Sequence, residues 1–401
     1  MRTPLRIACI GTRGIPSHYS GIERACESLY AELARRGHDI TVYGRPEHVG
    51  NSPRLYRGIR VVATPSLRTP SLETLSSAAA SLIEAIAGAR YDILHLHALA
   101  PNLFAGLCRA AGMTTVATVH GLDWQRAKWK GLGARVLRSA EASMVRYADR
   151  IIVVSRDLQR HYAESYGRDT AYIPNGIETV DSALARSEVL RRFGLTARDY
   201  ILYLGRLVPE KRIEDLIQAY EGFSVCGRLV IAGDTACGST YVKRLSRLAG
   251  GDERVLFTGL LEGPDVHALL ANAAAYVSPS ALEGLPMSLL ECIQQGTPAV
   301  VSDIPPHREL LGGIAGYDLF ATPGNVRELQ DKIRMAVARQ SDYRQMVIEA
   351  RRSMSEMHAW SAIAERTEMV MYQALANTAR CRRRGANGMA GPITESGGEH
   401  V

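Results

Sequence analysis

Short apolar segments alternate with helix-length segments along most of the chain, and this alternation limits the folds that the sequence can adopt. In the first half, six segments are typical of buried strands: Leu5–Ile10, Ile40–Tyr43, Ile59–Ala63, Ile93–His97, Thr115–His120 and Ile151–Val154. Helical patterns lie between several of them, at Gly21–Arg36, Leu72–Ala87, Pro101–Ala111 and Ala134–Tyr147. Strands that alternate with helices predict a parallel sheet covered by helices on both faces.

The same alternation restarts after a polar stretch at about residues 174–198. Its strand-like segments are Tyr200–Leu204, Leu229–Ala232, Val255–Thr258, Ala275–Ser278 and Ala299–Ser302. Its helical patterns are Ile213–Tyr220, Tyr241–Ala249, Asp265–Ala273, Met287–Gln294 and Val326–Ala338. We therefore predict an α/β chain with two doubly wound, Rossmann-like domains, at residues 1–176 and 177–356, that face each other across a cleft. Ligands of such sheets bind beyond the carboxyl ends of the strands.

The C-terminal part of the chain is predicted to contain one more helix and a tail. The helix covers residues 357–376 and is expected to return to the N-terminal domain. Residues 377–401 are rich in Arg, Gly and Ser and lack periodicity, so we predict a disordered basic tail.

Composition excludes several classes of protein. The chain has 48 Lys and Arg against 41 Asp and Glu, without the concentrated basic stripe of a nucleic-acid-binding protein. Its seven cysteines are scattered and include no C-x-x-C pair, which favours reduced thiols over a disulfide framework or a zinc site. No apolar run is long enough to cross a bilayer, and the first residues lack the apolar segment of a signal peptide. These features predict a cytoplasmic protein.

A glycine-rich loop follows the first predicted strand. It reads Gly11-Thr-Arg-Gly-Ile-Pro-Ser-His-Tyr-Ser-Gly, and a helix is predicted to begin near Gly21. Gly11, Gly14 and Gly21 allow the backbone to approach a ligand closely, so the loop is a candidate cradle in which backbone N–H groups bind an anion. The alternative is an ordinary glycine-rich loop without a ligand.

Two cations follow the first strand of the second half. In Gly205-Arg-Leu-Val-Pro-Glu-Lys-Arg, Arg206 lies at the carboxyl end of the strand and Lys211 lies near the start of the next helix. Both would converge on a diphosphate, to which the helix N-terminus adds partial positive charge. Arg212 is the weaker candidate because it is expected to face solvent. An ordinary surface ion pair is the alternative for this segment.

Two carboxylates follow the strand Ala275–Ser278. The segment Glu283-Gly-Leu-Pro-Met-Ser-Leu-Leu-Glu places Glu283 in a loop and Glu291 on a helix, with Pro286 where the helix begins. Carboxylates are good partners for sugar hydroxyls and ribose diols, so we expect the two groups to serve different parts of a ligand. For Glu291 the alternative is a solvated helix residue.

Several nucleotide-binding and hydrolytic motifs are absent from the sequence. It lacks the P-loop motif, H-E-x-x-H, G-x-S-x-G and a complete G-x-G-x-x-G. It also lacks Asp-x-Asp, so a metal-bridged diphosphate has no obvious ligands. Bound phosphates then have to be neutralised by protein cations and helix N-termini. We therefore predict no metal site and no cofactor.

Together, these segments resemble the family 4 retaining glycosyltransferases of the GT-B fold. The resemblance covers roughly residues 5–375 and is carried by G-R-x-x-x-E-K at 205–211 and E-x₇-E at 283–291. The loop at 11–16 and the segment at 121–129 also look like the bacterial rhamnosyltransferase-like branch of that family. His120 stands where that branch often has Asp, so the donor sugar stays unassigned.

The resemblance implies a retaining hexosyltransferase-type enzyme. It would move a sugar from a nucleotide-sugar donor to a saccharide or polyprenyl-linked acceptor, in cell-surface polysaccharide or glycolipid synthesis. The catalytic residues that it implies are His120, Arg206, Lys211 and Glu283. The nucleotide-sugar-binding residues that it implies are Gly14, Gly21, Gly284, Leu285, Pro286 and Glu291.

Each of these residues carries an implied role. Arg206 and Lys211 would neutralise the donor diphosphate, and Glu291 would bind the ribose. Glu283, with the three residues after it, would hold the donor sugar, and His120 would line the sugar site. The N-terminal domain would bind the acceptor and the C-terminal domain the donor. A lone histidine at a strand end is otherwise as often a structural residue.

Two tryptophans and several cations are concentrated after the fifth predicted strand. They are Trp124, Arg126, Lys128, Trp129, Lys130, Arg135 and Arg138. Because Trp prefers interfaces and cations attract acidic head groups, we expect this segment to face an anionic membrane or a lipid-pyrophosphate acceptor. That would place the protein peripherally at the inner face of the plasma membrane. A solvated face with one packed Trp is the alternative.

Two other functions stay open from the sequence alone. One is a non-catalytic module that binds sugar nucleotides, and the other is an epimerase or phosphorylase of the same fold. Turnover of a donor excludes the first, and product analysis separates the second.

Overall fold

The computed structural model describes residues 3–16, 21–50, 54–67, 69, 72–88, 91–177, 186–223, 227–234, 240–261 and 263–388. These residues form two α/β domains, each built on a twisted sheet with helices on both faces, and this architecture confirms the predicted fold class.

The N-terminal sheet has eight strands within the described residues, in the order β3-β4-β2-β1-β5-β6-β7-β8. They are β1 (Arg6–Ile10), β2 (Asp39–Gly44), β3 (Arg54–Tyr56), β4 (Ile59–Ala63), β5 (Ile93–His97), β6 (Thr115–Val119), β7 (Arg150–Val153) and β8 (Ala171–Tyr172). Every pair is parallel except β3 with β4, which is antiparallel at the edge of the sheet.

The helices of this domain cover both faces of its sheet. They are α1 (Gly21–Arg35), α2 (Pro46–Val49), α3 (Glu73–Gly88), α4 (Ala105–Ala110), α5 (Leu132–Tyr147) and α6 (Arg156–Tyr166). The predicted helix Pro101–Ala111 is divided into a 3₁₀ turn at Ala100–Phe104 and α4, and a second 3₁₀ turn lies at Asp123–Gln125.

The C-terminal sheet is parallel across its described strands, in the order β11-β10-β9-β12-β13-β14. They are β9 (Tyr200–Leu204), β10 (Arg228–Ala232), β11 (Val255–Gly259), β12 (Ala275–Ser278), β13 (Ala299–Ser302) and β14 (Phe320–Ala321). The helices are α7 (Arg186–Phe193), α8 (Ile213–Tyr220), α9 (Thr240–Leu248), α10 (Pro264–Asn272), α11 (Met287–Gln294), α12 (Pro305–Leu311), α13 (Val326–Ala338) and α14 (Gln340–Met354). A 3₁₀ turn at Pro209–Lys211 precedes α8.

The central strands form because their side chains are apolar on both faces of the sheet. Ile7, Ala8, Cys9 and Ile10 of β1 are all buried, so successive side chains pack against helices on opposite sides. The short strands β3, β8 and β14 were not predicted, since two or three residues are too few to show a periodic pattern.

The last helix returns to the N-terminal domain. It is α15 (Trp360–Gly388), and it packs against α1. Glu368 forms an ion pair with Arg36, the residue after α1, with Oε2 and Nη2 2.6 Å apart. The Tyr372 hydroxyl donates to the Thr3 carbonyl over 2.6 Å. The predicted tail was wrong for its first part, because residues 377–388 continue the helix. Their arginines and alanines are good helix formers. Residues 389–401 lie outside the described residues.

The chain passes between the domains twice, and the two crossings are in contact. Ile177 forms a bridge with Ala359, and its amide donates to the His358 carbonyl over 2.8 Å. The His358 ring in turn donates to the Asn175 carbonyl over 2.7 Å. Because these two crossings support each other, the carboxyl ends of the two sheets are held face to face.

Candidate active site

The candidate site lies where loops from the two sheets meet. The loop after β6 contacts the loop after β12 so closely that a Cβ added to Gly284 would overlap the His120 carbonyl oxygen. Next to this contact, the Asn175 amide donates to the Leu285 carbonyl over 2.9 Å. Pro286 then caps α11 at its N-terminus. The two loops therefore bring His120 of the N-terminal domain next to Gly284, Leu285 and Pro286 of the C-terminal domain, at the interdomain cleft.

Lys211 and Glu283 form an ion pair within the C-terminal domain. Lys211 ends the 3₁₀ turn before α8, and Glu283 lies in the loop after β12, with both side chains largely buried. Burial alone would raise the pKa of Glu283, but the Lys211 ammonium and the neighbouring His307 outweigh it and lower that pKa. Glu283 is consequently an ionised acceptor that shares its charge with Lys211.

Three arginines from separate loops surround the same space. Arg206 follows β9, and burial lowers the pKa of its guanidinium, with further repulsion from Arg126 and Arg13. Glu210 and Glu283 offset part of this positive charge. Arg206 has no ion pair within the part of the chain that the structure describes. The cleft therefore concentrates positive charge, the property that a diphosphate needs.

Arg212, the weaker candidate from the sequence, points elsewhere. Its Nε atom is 2.6 Å from Asp215 Oδ2, one turn further along α8. This contact explains why Arg206 and Lys211, and not Arg212, act on the cleft.

Glu291 lies on α11 of the C-terminal domain and contacts the N-terminal domain. One of its oxygens pairs with Arg24 on α1, and the side chain is almost fully buried. Its other oxygen, Oε2, is buried with no hydrogen-bond partner. A buried carboxylate oxygen without a donor is costly, so this atom is ready to accept from the hydroxyl of a ligand. The solvated alternative for Glu291 is therefore wrong.

His120 is partly exposed and contacts a network of buried rings behind the cleft. Its Nε2 is 3.0 Å from His97 Nδ1, and the two rings are stacked. His97 Nε2 is 2.7 Å from the Tyr30 hydroxyl, which is 2.9 Å from His95 Nδ1. Burial, together with the Arg126 charge, lowers the pKa of His120 to about 4. The ring is thus neutral near pH 7 and held in a fixed orientation.

The predicted glycines contact protein, and each does so in a different way. Gly14 has a φ of 125°, and an added Cβ would overlap the Val49 side chain. Gly21 begins α1, and an added Cβ would be 3.0 Å from Met287 Cγ in the other domain. Gly21 and Gly284 therefore permit the domains to approach, whereas Gly14 permits the loop to pack on α2. The part of this loop at 17–20 lies outside the described residues.

Sequence reasoning missed Arg13, Arg24 and Arg126 as site residues. Arg13 lay within the glycine-rich loop, where only glycines were considered, and its amide donates to Glu23 over 3.1 Å. Arg24 lay on a helix whose position relative to α11 the sequence does not show. Arg126 was assigned to a membrane-facing segment, but its charge acts on Arg206 and His120.

The chain is similar to known proteins over most of its length. Residues 19–181 match the family model described as Glycosyltransferase Family 4, and residues 189–354 match the one described as Glycosyl transferases group 1. A GDP-mannose-dependent alpha-(1-6)-phosphatidylinositol monomannoside mannosyltransferase of Mycolicibacterium smegmatis is 30% identical over 72% of this chain and 78% of its own length.

Solved structures share the fold at lower identity. Sucrose-phosphate synthase of Thermosynechococcus elongatus superposes with a TM-score of 0.79 at 20% identity, over 93% of this chain and 99% of its own. The Anabaena protein HepE, solved in complex with UDP-glucose, gives a TM-score of 0.73 at 20% identity, over 94% and 100%.

Proposed function

The chain belongs to the family 4 glycosyltransferases, and on that premise we propose that it transfers a sugar, with retention, from a nucleoside diphosphate sugar bound in the interdomain cleft. The acceptor is a saccharide or a lipid-linked saccharide, in the synthesis of a cell-surface polysaccharide or glycolipid. The phosphatidylinositol mannoside named for one relative supports a lipid-linked acceptor.

The observation that carries the proposal is the set of charges around the cleft. Arg206 is half-buried with Arg13 and Arg126 nearby, and Lys211 is held against Glu283. Loss of the sugar leaves negative charge on the departing diphosphate. Fixed cations in a desolvated site stabilise that charge strongly, because no reorganisation is needed when it develops. These protein cations support transfer without a divalent metal ion.

The carboxylates and His120 would hold the two ends of the donor. The unpartnered oxygen of Glu291 accepts from a ribose hydroxyl, and Glu283 accepts from hydroxyls of the sugar. The backbone carbonyl of His120 contacts Gly284, and its neutral ring would line the sugar site. In front-face attack, the leaving phosphate oxygen takes the proton of the acceptor, so no carboxylate nucleophile is required.

The test is a panel of UDP-, GDP- and dTDP-sugars, scored by calorimetry and by release of the nucleotide. GDP-mannose is the first to try, because a relative at 30% identity depends on it. We expect one donor to release its nucleotide in the presence of a chelator, with the anomeric configuration retained in the product. A product that keeps the nucleotide would identify an epimerase, and full dependence on magnesium or manganese would contradict the metal-independent mechanism.

We also propose that the segment around the start of α5 binds an anionic membrane surface. Lys128, Lys130, Arg135 and Arg138 are exposed, and so is 75% of Leu132. The Trp124 indole instead donates to Glu141 over 2.8 Å and packs on the core, so it does not belong to this surface. The described residues include no helix long and apolar enough to cross a membrane.

Liposome co-sedimentation tests the membrane proposal. We expect the wild type to pellet with acidic vesicles and the Lys128→Glu/Lys130→Glu variant to stay in the supernatant. The matched control is Lys243→Glu/Arg244→Glu on α9, which changes the net charge equally on an exposed part of the other domain. Equal pelleting of the first variant and the wild type would contradict the proposal.

A further inference from the structure

Two cysteines and a histidine meet in the N-terminal core directly behind His120. Cys9 is on β1, Cys26 is on α1 and His97 ends β5, and all three are buried. Their ligand atoms lie within 4.8 Å of one another, and Cys26 Sγ is 3.4 Å from His97 Nδ1. Neither the fold nor the proposed reaction requires thiols at this place.

The spacing of these atoms matches a tetrahedral metal site. With Zn–S bonds of about 2.3 Å and Zn–N bonds of about 2.0–2.1 Å, tetrahedral ligand atoms are about 3.6 Å apart. Small side-chain shifts would therefore bring all three onto one ion. Two thiolates balance the charge of a divalent cation, so the complex is electrically neutral and tolerates burial. Binding releases the two thiol protons.

The surroundings of His97 also fit a metal ligand. Its Nδ1 faces the thiols, while its Nε2 lies 2.7 Å from the Tyr30 hydroxyl. A hydrogen bond on the outer ring nitrogen fixes the orientation of a ligating histidine and raises its basicity. His120, which contacts His97, is partly exposed, whereas the three ligands are buried.

A bound metal ion and the hydrogen bond to His120 would both use the same atom, His97 Nδ1. His97 Nδ1 is 3.0 Å from His120 Nε2, and its lone pair or proton serves that hydrogen bond when no ion is bound. We propose that Cys9, Cys26 and His97 form a buried site for a thiophilic divalent cation such as Zn²⁺, and that binding breaks the His97–His120 hydrogen bond and lowers transferase activity. The loss of activity rests on the proposed function, whereas the site does not.

Titration of the reduced protein with Co²⁺ tests the site without any assay of activity. We expect the wild type to take up one equivalent with a thiolate-to-cobalt charge-transfer band, and Zn²⁺ to displace it. Cys9→Ala and Cys26→Ala should each lose the band. Cys108→Ala is the matched control, because Cys108 is equally buried but lies outside the cluster. Tyr30→Phe should weaken binding about 10–100-fold.

Two results would overturn the site: no charge-transfer band in the wild type, or the same band in Cys9→Ala and Cys26→Ala as in the wild type. Both variants replace a small buried side chain by a smaller one, so two independent proteins are available if one fails to fold.

Nucleotide release, with and without Zn²⁺, tests the coupling to His120. We expect Zn²⁺ to lower the rate of the wild type and of Cys108→Ala at least about 10-fold, with recovery on chelation, and to leave the rate of Cys26→Ala unchanged by the metal. If the wild type binds Co²⁺ with the charge-transfer band but Zn²⁺ does not lower its rate, the coupling between the metal site and His120 is wrong. If no donor is turned over, the proposed function fails, and the cobalt spectrum still decides the site.

Discussion

Arg24 of the N-terminal domain and Glu291 of the C-terminal domain form an ion pair across the cleft. Arg24 is partly exposed, whereas Glu291 is almost fully buried and keeps one oxygen without a partner. The carboxylate that we assign to the ribose is therefore also a contact between the domains, and the two roles can be separated by changing one residue at a time.

Glu291→Gln should weaken donor binding. The amide has one acceptor oxygen and no charge, so a charge-assisted hydrogen bond worth about 1.5–3 kcal/mol is lost or reduced, which corresponds to about 10–100-fold in the dissociation constant. Calorimetry with the nucleoside diphosphate measures the effect.

Arg24→Ala is the control for this prediction, because it removes the interdomain pair and keeps the carboxylate. We expect a smaller loss of nucleotide affinity than for Glu291→Gln. Equal losses in the two variants would assign Glu291 to domain contact instead of ribose binding.

Lys211→Met should destabilise the protein as well as inactivate it. It leaves Glu283 largely buried without its partner, and breaking such a pair costs about 3–5 kcal/mol when it is fully buried. The double variant Lys211→Met/Glu283→Gln removes both charges and should regain part of that stability, while it stays at least about 10²-fold less active. Urea unfolding measures the free energy. A double variant less stable than the single one would contradict a charge-pair origin.

Gly284→Ala should separate the domains at the sugar site. The added Cβ would overlap the His120 carbonyl, so the loops have to move apart by a distance comparable to an atomic radius. A displacement of about 1 Å at a reacting centre costs about 10²-fold in rate, and we expect this loss in kcat/KM.

Gly88→Ala is the matched control for Gly284→Ala. Gly88 ends α3, and an added Cβ has nothing within 4 Å. This change should leave kcat/KM unchanged and slightly raise stability, because alanine restricts the unfolded chain more than glycine does. Full activity in Gly284→Ala would show that the contact with His120 is not needed.

His307 should make the protein sensitive to acid. Burial lowers the pKa of His307 from its ordinary 6.5 to about 4, and the Lys211 charge adds to this effect. The unfolded chain binds a proton below about pH 6.5 that the folded chain does not. The free energy of unfolding therefore falls as the pH is lowered from about 6.5 to about 4, by about 3 kcal/mol from this group.

His307→Asn tests that prediction by urea unfolding across the same range. The asparagine amide can replace the N–H that His307 Nδ1 donates to the Ser302 carbonyl over 2.8 Å, but it does not titrate. The free energy of unfolding of the His307→Asn variant should fall less on acidification than that of the wild type, because the other titrating groups are common to both proteins. Parallel pH profiles would exclude His307 as the cause.

The fold could be predicted because its strands are continuous apolar runs. A strand such as β9, whose five residues are all apolar and of which four are buried, shows its character without reference to any other segment. The predicted site loops also follow from the chain, since Arg206 and Glu283 each lie in the loop after a strand and parallel strands end at one edge of a sheet. The helices α2, α6, α7, α12 and α14 were missed. For α6 the signals were present, because Ser155 accepts from the Leu158 amide as an N-cap and Gly167 has the left-handed φ of 59° that ends the helix.

By itself, the sequence determined the longer strands and placed Arg206, Lys211, Glu283 and Glu291 in the segments that follow them. It did not determine the pairs that these residues form. Lys211 meets Glu283, Arg24 meets Glu291, and Cys9, Cys26 and His97 converge, each from positions that are separated along the chain. Strand order, helix packing and the angle between the domains set these distances, because they depend on how the whole chain buries its apolar surface. The scattered cysteines that indicated no metal site are neighbours only in the folded core.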